Sequence, residues 1–433
     1  RTETGYSVKE KNMEAILAAK FTEFLKNAGG VLAAVAILLA MVTIHEFGHY
    51  LAGKALGFKI NEFSVGFGPA IYKKRSKKTG ELFALRVIPL GGYCAFDGED
   101  DTEEESAGGA APQAEKTEKQ PDEEAPFGEL ETPAASAAVP QAQAEAKERA
   151  EEESYPEPKG ERFNDQPPWK RIIVLLAGAA MNYLLGVLLI FVMFLSCGRP
   201  LYRVASLPEG ENAAQIQTPL RADDVIMSIE GRRLYLISDY MAAMKGKNKG
   251  DTVTAEVLRL ENGALKQTTL QITLGASHDE FDSLGKATGV LKALGVTGLA
   301  SVTVKEKFGV TVGDSFAYSW KEAGMVLSSL GQLVTGKISI RSMGGPITTI
   351  KVASEQARGG WMSFLNIASF IGVNLAVFNL LPIPALDGSK VVFCIIEWIR
   401  KKPINRKVEA AIHFIGIVFL FAFAILVDIL QLF

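Results

Sequence analysis

The segment HEFGH at residues 45–49 combines residue types and a spacing that suit metal chemistry. On a helix, His45 and His49 are four residues apart, so both imidazoles project from one face. Two neutral imidazoles at that spacing bind one zinc ion, and Glu46 is placed to take a proton from a zinc-bound water. The run at 30–51 carries almost no charge before Glu46, and ionisable residues inside a membrane span mark a functional site. The alternative, a polar cluster that only holds helices together, accounts less well for this match.

The composition favours a membrane protein. Basic and acidic residues nearly balance, with a formal net charge of −3, so no nucleic-acid partner is indicated. The mean hydropathy is positive, which is unusual for a soluble protein with 22% charged residues. The three cysteines are scattered without a CxxC pair, which indicates neither a disulfide framework nor a zinc ribbon.

Four apolar segments are long enough, or nearly so, to span a bilayer, which needs roughly 20 residues. They lie at 30–51, 172–196, 363–386 and 411–433. Clusters of Lys and Arg follow the first segment, precede the second and separate the third from the fourth, so this side is predicted to be cytoplasmic. Both termini and the segment 199–362 are then outside. The first apolar segment carries the HEFGH motif and must be retained, so a cleavable signal peptide is not expected.

Residues 57–93 carry strand-like patterns at 63–69 and 82–88. We predict a β-hairpin or small sheet just inside the membrane. An exposed edge strand there could bind an extended substrate by strand addition. The sheet could equally serve only to plug the cytoplasmic face.

Two regions between the first and third spans have different characters. Residues 97–162 are rich in Glu, Ala and Pro and are predicted to be a disordered, solvated insertion. The stretches LRADDVIMSIEG at 220–231 and GDTVTAEV at 250–257 resemble a PDZ domain of the bacterial protease type, although Pro219 stands where such domains usually carry Gly. Residues 314–335 are predicted to form an amphipathic helix at the outer membrane surface.

A catalytic zinc ion needs a third protein ligand. The third span ends in NLLPIPALDG at 379–388, and Asp387 lies near its cytoplasmic end, at a depth similar to that of His45. The prolines in this stretch break the helix, which is tolerated where the backbone faces protein or a water-filled cavity. A carboxylate completes a His/His site well, so we favour Asp387. His413 and Glu397 remain rival ligands, and a helix cap is the other role open to Asp387.

HEFGH in the first span, GFGP at 66–69, the NLLPIPALDG segment and the external PDZ-like region together resemble the site-2 protease family of intramembrane zinc metalloproteases. The similarity is greatest to the bacterial regulator-of-sigma-factor proteases, which cleave membrane-bound anti-sigma factors. It covers most of the chain apart from 1–25 and the acidic insertion.

This resemblance implies that His45, His49 and Asp387 bind one zinc ion and that Glu46 is the general base. It also implies that Asn379 holds the substrate or unwinds its helix. The expected substrates are single-span transmembrane proteins, such as anti-sigma factors or remnant signal peptides, in the bacterial cytoplasmic membrane. The full set of expected substrate-binding residues is Asn379, Pro382, Gly66, Phe67 and Gly68.

The predicted fold is a polytopic α-helical membrane protein with four transmembrane helices, a cytoplasmic membrane-proximal β-hairpin and an extracytoplasmic PDZ-like α+β domain. The expected organisation is a terminal segment with an interfacial helix (1–29), a first span (30–56), a β-hairpin region (57–96), the acidic insertion (97–162), a second span (163–198), the PDZ-like domain (199–300), a linker region (301–362), a third span (363–390), a cytoplasmic loop (391–410) and a fourth span (411–433).

The predicted chemistry is metal-assisted peptide hydrolysis within a substrate helix, which must partly unwind before it is cut. The external domain is expected to admit substrates whose outer portion has already been trimmed. Three other functions remain open. They are hydrolysis of soluble peptides, a membrane scaffold that recruits partners through its PDZ-like domain, and a metal transporter, since ionisable residues in spans also mark ion paths.

Overall fold

The computed structural model describes residues 3–99, 155–209, 218–280 and 286–432. In chain order the helices and strands are α1 (Glu3–Leu56), β1 (Ile60–Arg75), β2 (Leu82–Phe96), α2 (Pro168–Cys197), β3 (Arg199–Ser206), β4 (Val225–Ile229), β5 (Arg232–Arg233), α3 (Ile237–Ala243), β6 (Thr252–Glu261), β7 (Ala264–Thr273), α4 (Lys286–Leu294), β8 (Gly298–Val304), α5 (Phe308–Val334), α6 (Pro346–Arg358), α7 (Trp361–Asn379), α8 (Asp387–Arg400) and α9 (Arg406–Leu432).

Within the described residues, four helices are long and apolar enough to cross a membrane. Their uninterrupted backbone hydrogen bonding satisfies the peptide groups inside the bilayer. The chain is therefore a multi-pass membrane protein that also carries β-sheets, and the candidate spans found in the described residues agree with the four predicted segments. The four spans are Asn27–Leu56, Pro168–Cys197, Trp361–Asn379 and Arg406–Gln431.

Internal packing divides the chain into two units. The first contains α1, β1, β2, α6, α8 and α9, together with the part of α2 up to Leu185 and the part of α7 from Ile371. In this unit α1 packs against α6 and against the β1–β2 sheet. An aromatic cluster of Phe58, Phe96 and Phe163 is buried beneath the end of α1, with ring centroids 5.4–5.7 Å apart. This core anchors the sheet to the helix that carries the HEFGH motif.

The two strands of the first unit are long and bent, so they form a sheet of four segments. Residues 60–65 lie between 92–96 on one side and 82–85 on the other, and 70–75 pair with the far side of 82–86. Gly66 and Gly68, with φ of +87° and +82°, make the bend in β1. A Cβ at Gly66 would lie 2.7 Å from the carbonyl oxygen of Ile88, so a side chain does not fit there. The predicted β-hairpin is thus a bent sheet, and within the described residues its two edge segments are 92–96 and 70–75.

The second unit is built on an antiparallel sheet of order β7-β6-β4-β3-β8, with β5 paired to β4. Its core contains Ile226, Tyr240, Val257 and Ile272, none more than 1% exposed. The buried Asp224 carboxylate accepts hydrogen bonds from Arg259 at 2.7 and 2.9 Å, so this buried charge is paired. The unit is an α+β arrangement in the region where a PDZ-like domain is predicted.

Two boundaries differ from those predicted. The helix of the third span ends at Asn379, and the backbone is non-helical until Asp387, because Pro382 and Pro384 interrupt it. The segment predicted as a cytoplasmic loop at 391–410 is largely helical, since α8 continues to Arg400. One face of α8 buries Ser389, Cys394 and Glu397 in the protein, and the basic Arg400 in the last turn is favourable at the negative end of the helix. Most of the predicted acidic insertion lies outside the described residues.

Candidate metal centre

Side chains from two distant parts of the chain meet at one point in the first unit. The Nε2 atoms of His45 and His49 are 3.1 Å apart, and they lie 3.0 and 3.3 Å from Oδ2 of Asp387. Tetrahedral zinc, with bonds of about 2.0–2.1 Å to N and O, holds its ligand atoms roughly 3.3 Å apart. Among the described residues, these three form a group that could hold a metal ion.

The protonation of His49 supports a metal at this point. Its Nδ1 lies 2.8 Å from the carbonyl oxygen of Val174, and a carbonyl oxygen can only accept, so Nδ1 carries the proton. Nε2 of the neutral ring therefore presents a lone pair. Oδ2 of Asp387 is buried, and no donor in the described part of the chain reaches it with hydrogen-bond geometry, despite its short distances to the imidazoles. Lone pairs that converge in a buried site repel one another unless a cation lies between them, so the donor set fits zinc.

The loop between α7 and α8 brings Asp387 to the histidines. Ala385 has φ of +81°, which is unusual for a residue with a side chain. Its N–H donates to Nδ1 of His413 on α9, 3.1 Å away. A Cβ at Gly388 would lie 2.4 Å from the carbonyl oxygen of Leu381, so a larger residue after Asp387 would push the loop open. The loop conformation thus depends on both α9 and a glycine.

Glu46 lies beside the edge segment 92–96 of the bent sheet. The backbone N–H of Cys94 hydrogen bonds to its carboxylate. A cavity of about 380 Å³ opens at this point, and its lining includes Glu46, Asp387, Tyr93 and Lys390. A carboxylate held against such a polar cavity can meet a water molecule, which is the position a general base needs.

Helix α2 approaches α1 closely at the candidate site because its residues there are small. A Cβ on Gly48 would lie 2.4 Å from the carbonyl oxygen of Ala177. A Cβ on Gly178 would lie 2.4 Å from Nε2 of His49 and 2.8 Å from Cε1 of His45. Gly178 therefore leaves the space in which the two imidazoles converge.

We expect Gly178→Ala to abolish zinc binding and proteolysis, because the added methyl group occupies the space needed by the imidazoles. Zinc content per purified chain and substrate cleavage measure the two effects. Gly324→Ala on α5 is the matched control, since a Cβ there meets nothing within 4 Å. A Gly178→Ala protein that retains one zinc ion per chain would contradict this account of the site.

The other candidate residues lie in different surroundings. Nδ2 of Asn379 is 3.4 Å from both ring nitrogens of His45. Pro382 lies in the loop before Asp387, and the Phe67 ring stacks on Tyr93, which lines the cavity. Gly66 and Gly68 form the bend of β1.

The two rival ligands have other partners. His413 holds Ala385, as described above, and Glu397 bonds to Arg171 and pairs with Arg406 at 3.2 Å. Asn182 on α2 is a further polar residue at the site, and its side-chain amide lies 3.5 Å from Nδ1 of His45. In the sequence, the four-residue spacing between Gly178 and Asn182 indicates that both lie on one face of this helix.

Comparisons with known proteins agree with this geometry. Residues 33–423 match Peptidase family M50. The chain is 29% identical over 443 residues to the Regulator of sigma-W protease RasP of Bacillus subtilis, an alignment that covers 93% of this chain and 99% of that protein. It is 27% identical over 437 residues to the Zinc metalloprotease RasP of Bacillus licheniformis, with the same coverage. A protein of Fusobacterium nucleatum named as a zinc metalloprotease is 26% identical over 404 residues, covering 92% of this chain and 97% of that protein.

The chain belongs to peptidase family M50, the site-2 protease family. It is an intramembrane zinc metalloprotease that acts in regulated intramembrane proteolysis. The resemblance, the enzyme class and the zinc cofactor predicted from the sequence are thereby confirmed. The scaffold and transporter alternatives are not favoured.

Proposed function

We propose that His45, His49 and Asp387 are the protein ligands of the catalytic zinc and that Glu46 is the general base. The observation that carries this proposal is the convergence of three lone-pair atoms at 3.0–3.3 Å inside a membrane protein. Zinc bound here supplies Lewis acidity and lowers the pKa of water towards neutrality.

In the proposed mechanism, Glu46 takes a proton from the attacking water and later returns it to the leaving amine. The Cys94 N–H orients the carboxylate, and the cavity supplies the water. The loop with Ala385 and Gly388 keeps the Asp387 carboxylate aimed at the two imidazoles. Asn379, close to the His45 ring, would contact the substrate next to the scissile bond.

The proposed substrate is a transmembrane helix of a single-span protein. All backbone groups of such a helix are paired within it, so a few residues must unwind before water can attack the peptide bond. Among the described residues, the edge segment 92–96 pairs with β1 alone, and it runs past Glu46, so an unwound strand could be held there by backbone hydrogen bonds. The exposed apolar side chains Phe67, Val87 and Ile88 of the same sheet suit a hydrophobic substrate.

The geometry of the sheet depends on one arginine. The Arg86 guanidinium donates to Ser64 Oγ at 2.8 Å, to the Gly68 carbonyl oxygen at 2.7 Å and to Glu62 at 2.6 Å. It thereby joins β2 to both sides of the bend at Gly66 and Gly68. These hydrogen bonds hold the bend in one shape. A rigid surface of this kind can present Phe67 to a substrate, which supports the proposed role of the bend in substrate binding.

By analogy with the sigma-W regulator protease that the chain resembles, we propose anti-sigma-factor-like proteins as substrates, with remnant signal peptides as a second group. A single-span substrate in detergent tests the proposal. We expect cleavage within the transmembrane sequence by the wild-type chain, loss of cleavage with a zinc chelator and recovery with added zinc. If the chain cleaved soluble peptides but not the single-span substrate, the alternative function, hydrolysis of soluble peptides, would be favoured instead.

We further propose that the sheet of the first unit faces the cytoplasm of a bacterial plasma membrane and that both termini and the PDZ-like unit lie outside. The basic residues around the α8–α9 turn, Arg400 to Arg406, support this orientation. A reporter enzyme active only outside the cytoplasm should work when fused after Phe433 and fail when inserted at 401–405. The reverse pattern would invert the proposed topology.

The external unit is proposed to act as a size filter that admits substrates trimmed by an earlier cleavage. A chain lacking 200–275 should cleave full-length and trimmed substrates at similar rates, whereas the intact chain should prefer the trimmed form. If the shortened chain preferred the trimmed substrate as strongly as the intact chain does, the size-filter role would be excluded.

A further inference from the structure

The distal nitrogens of the two candidate histidine ligands both face helix α2. Nδ1 of His49 donates to the backbone carbonyl of Val174. Nδ1 of His45 lies 3.5 Å from the side-chain amide of Asn182. Val174, Gly178 and Asn182 are spaced by four residues, so they form one stripe along α2. Because α1 and α2 run antiparallel, Val174 at the first end of the stripe lies beside His49, and Asn182 at the other end lies beside His45.

Asn182 is almost completely buried, with 1% of its surface exposed, and its Oδ1 has no hydrogen-bond partner among the residues that the structure describes. In the structure, the NH₂ group of the Asn182 amide faces Nδ1 of His45. If Nε2 of a neutral His45 presents its lone pair to a metal ion, Nδ1 must carry the proton, and two donors would then face each other. The O and N atoms of an amide have nearly the same shape, and their assignment follows from the hydrogen-bond network. Rotating the amide by half a turn brings Oδ1 to Nδ1 and removes the conflict.

Asn379 does not replace this partner. Its Nδ2 is equally far from both ring nitrogens of His45, so it does not lie along the Nδ1–H direction. Asn182 approaches Nδ1 from α2, on the side of the ring that corresponds to Val174 beside His49. The two imidazoles would then be held from the same helix by the same kind of bond.

We propose that Asn182 is a positioning residue: its Oδ1 accepts the Nδ1–H of His45 and fixes the tautomer and orientation that aim Nε2 at the metal. This inference rests on the proposed ligand set. Hydrogen bonds to the distal nitrogen of a metal-bound histidine restrict its ring and raise its basicity, and their loss typically weakens metal binding 10–100-fold. Asn182 does not itself touch zinc or the substrate.

Two substitutions of similar shape separate positioning from packing. Asn182→Leu removes the acceptor, and Asn182→Asp keeps an acceptor oxygen at the same place. We expect Asn182→Leu to weaken zinc affinity about 10–100-fold, measured by competition with a chromophoric chelator, and to change the visible spectrum of the cobalt-substituted protein. Asn182→Asp should bind zinc at least as tightly as the wild type. Gln166→Leu, which removes another buried amide two residues before α2 begins, should leave zinc affinity unchanged.

Equal zinc affinity in the wild type and both Asn182 variants, or an equal loss in both, would overturn the inference and leave Asn182 as a packing residue. If Asn182→Leu does not fold, the tautomer can be read in the unaltered protein. Labelling its four histidines with ¹⁵N should show His45 protonated at Nδ1, and protonation at Nε2 would overturn the inference. A separate outcome concerns the proposed ligands. If the wild-type chain binds zinc and His45→Ala binds it equally well, His45 is not a ligand, and the proposed ligand set is wrong whatever the role of Asn182.

Discussion

Glu46→Gln should reduce cleavage of a single-span substrate by roughly 10²–10⁴-fold, the usual contribution of a general base. The amide has nearly the shape of the carboxylate and its oxygen can still accept the Cys94 N–H, but it cannot take a proton from water. The zinc content should stay at one ion per chain, because the three convergent ligand atoms belong to His45, His49 and Asp387 and none belongs to Glu46. Cleavage rates and zinc content should be measured on the same preparation.

The exposed Glu355 on α6 provides the control, and Glu355→Gln should cleave at the wild-type rate. Cleavage by Glu46→Gln within a few-fold of the wild type would show that another group accepts the proton, or that a contaminating protease is at work. Loss of zinc together with activity would instead move Glu46 into the metal-binding set.

Asp387→Asn should lose most of its zinc. The change replaces an anionic ligand with a neutral amide, and a penalty on the order of 3 kcal/mol in binding corresponds to roughly a 100-fold higher Kd. Asp387 is the first helical residue of α8 and not its cap, so a neutral asparagine loses only the attraction of a negative charge to the helix N-terminus, about 0.3–1 kcal/mol, and α8 should still begin at this residue. The loss of metal is therefore expected without loss of the fold, and cleavage should disappear with it.

Zinc content after dialysis and the thermal unfolding of the metal-free protein test these two expectations separately. Asp165→Asn, at an exposed carboxylate before α2, should change neither. An Asp387→Asn protein that holds one zinc ion with wild-type affinity would exclude Asp387 as a ligand and return attention to the other carboxylates near the cavity, such as Glu99.

The third candidate ligand shows how far the sequence could reach. The depth of the third span predicted that Asp387 would lie near His45, and the prolines predicted a break in the helix. His413 and Glu397 nevertheless had suitable chemistry and similar depth. They differ in their tertiary contacts, since His413 accepts the Ala385 N–H and Glu397 pairs with Arg171 and Arg406. Such contacts depend on the rotation of each helix, which hydropathy does not record.

The sheet beside the site was also only partly predictable. The strand-like patterns at 63–69 and 82–88 predicted a hairpin or small sheet, but not the bend at Gly66 and Gly68. The pairing of 60–65 with two different parts of β2 could not be read from the pattern, because both parts have similar alternation. The edge that faces Glu46 follows from the packing of the sheet against the end of α1.

The amino-acid sequence alone determined the features that depend on neighbours along the chain. These are the apolar lengths that span a bilayer, the four-residue spacing that places His45 and His49 on one helix face, and the family. Tertiary structure decided which distant groups meet these histidines. Asp387 comes from a loop shaped by α9, and Val174 and Asn182 come from α2, because small residues such as Gly178 allow α1 and α2 to approach closely. Local periodicity fixes which face a helix presents, whereas its partner is fixed by packing across the whole bundle.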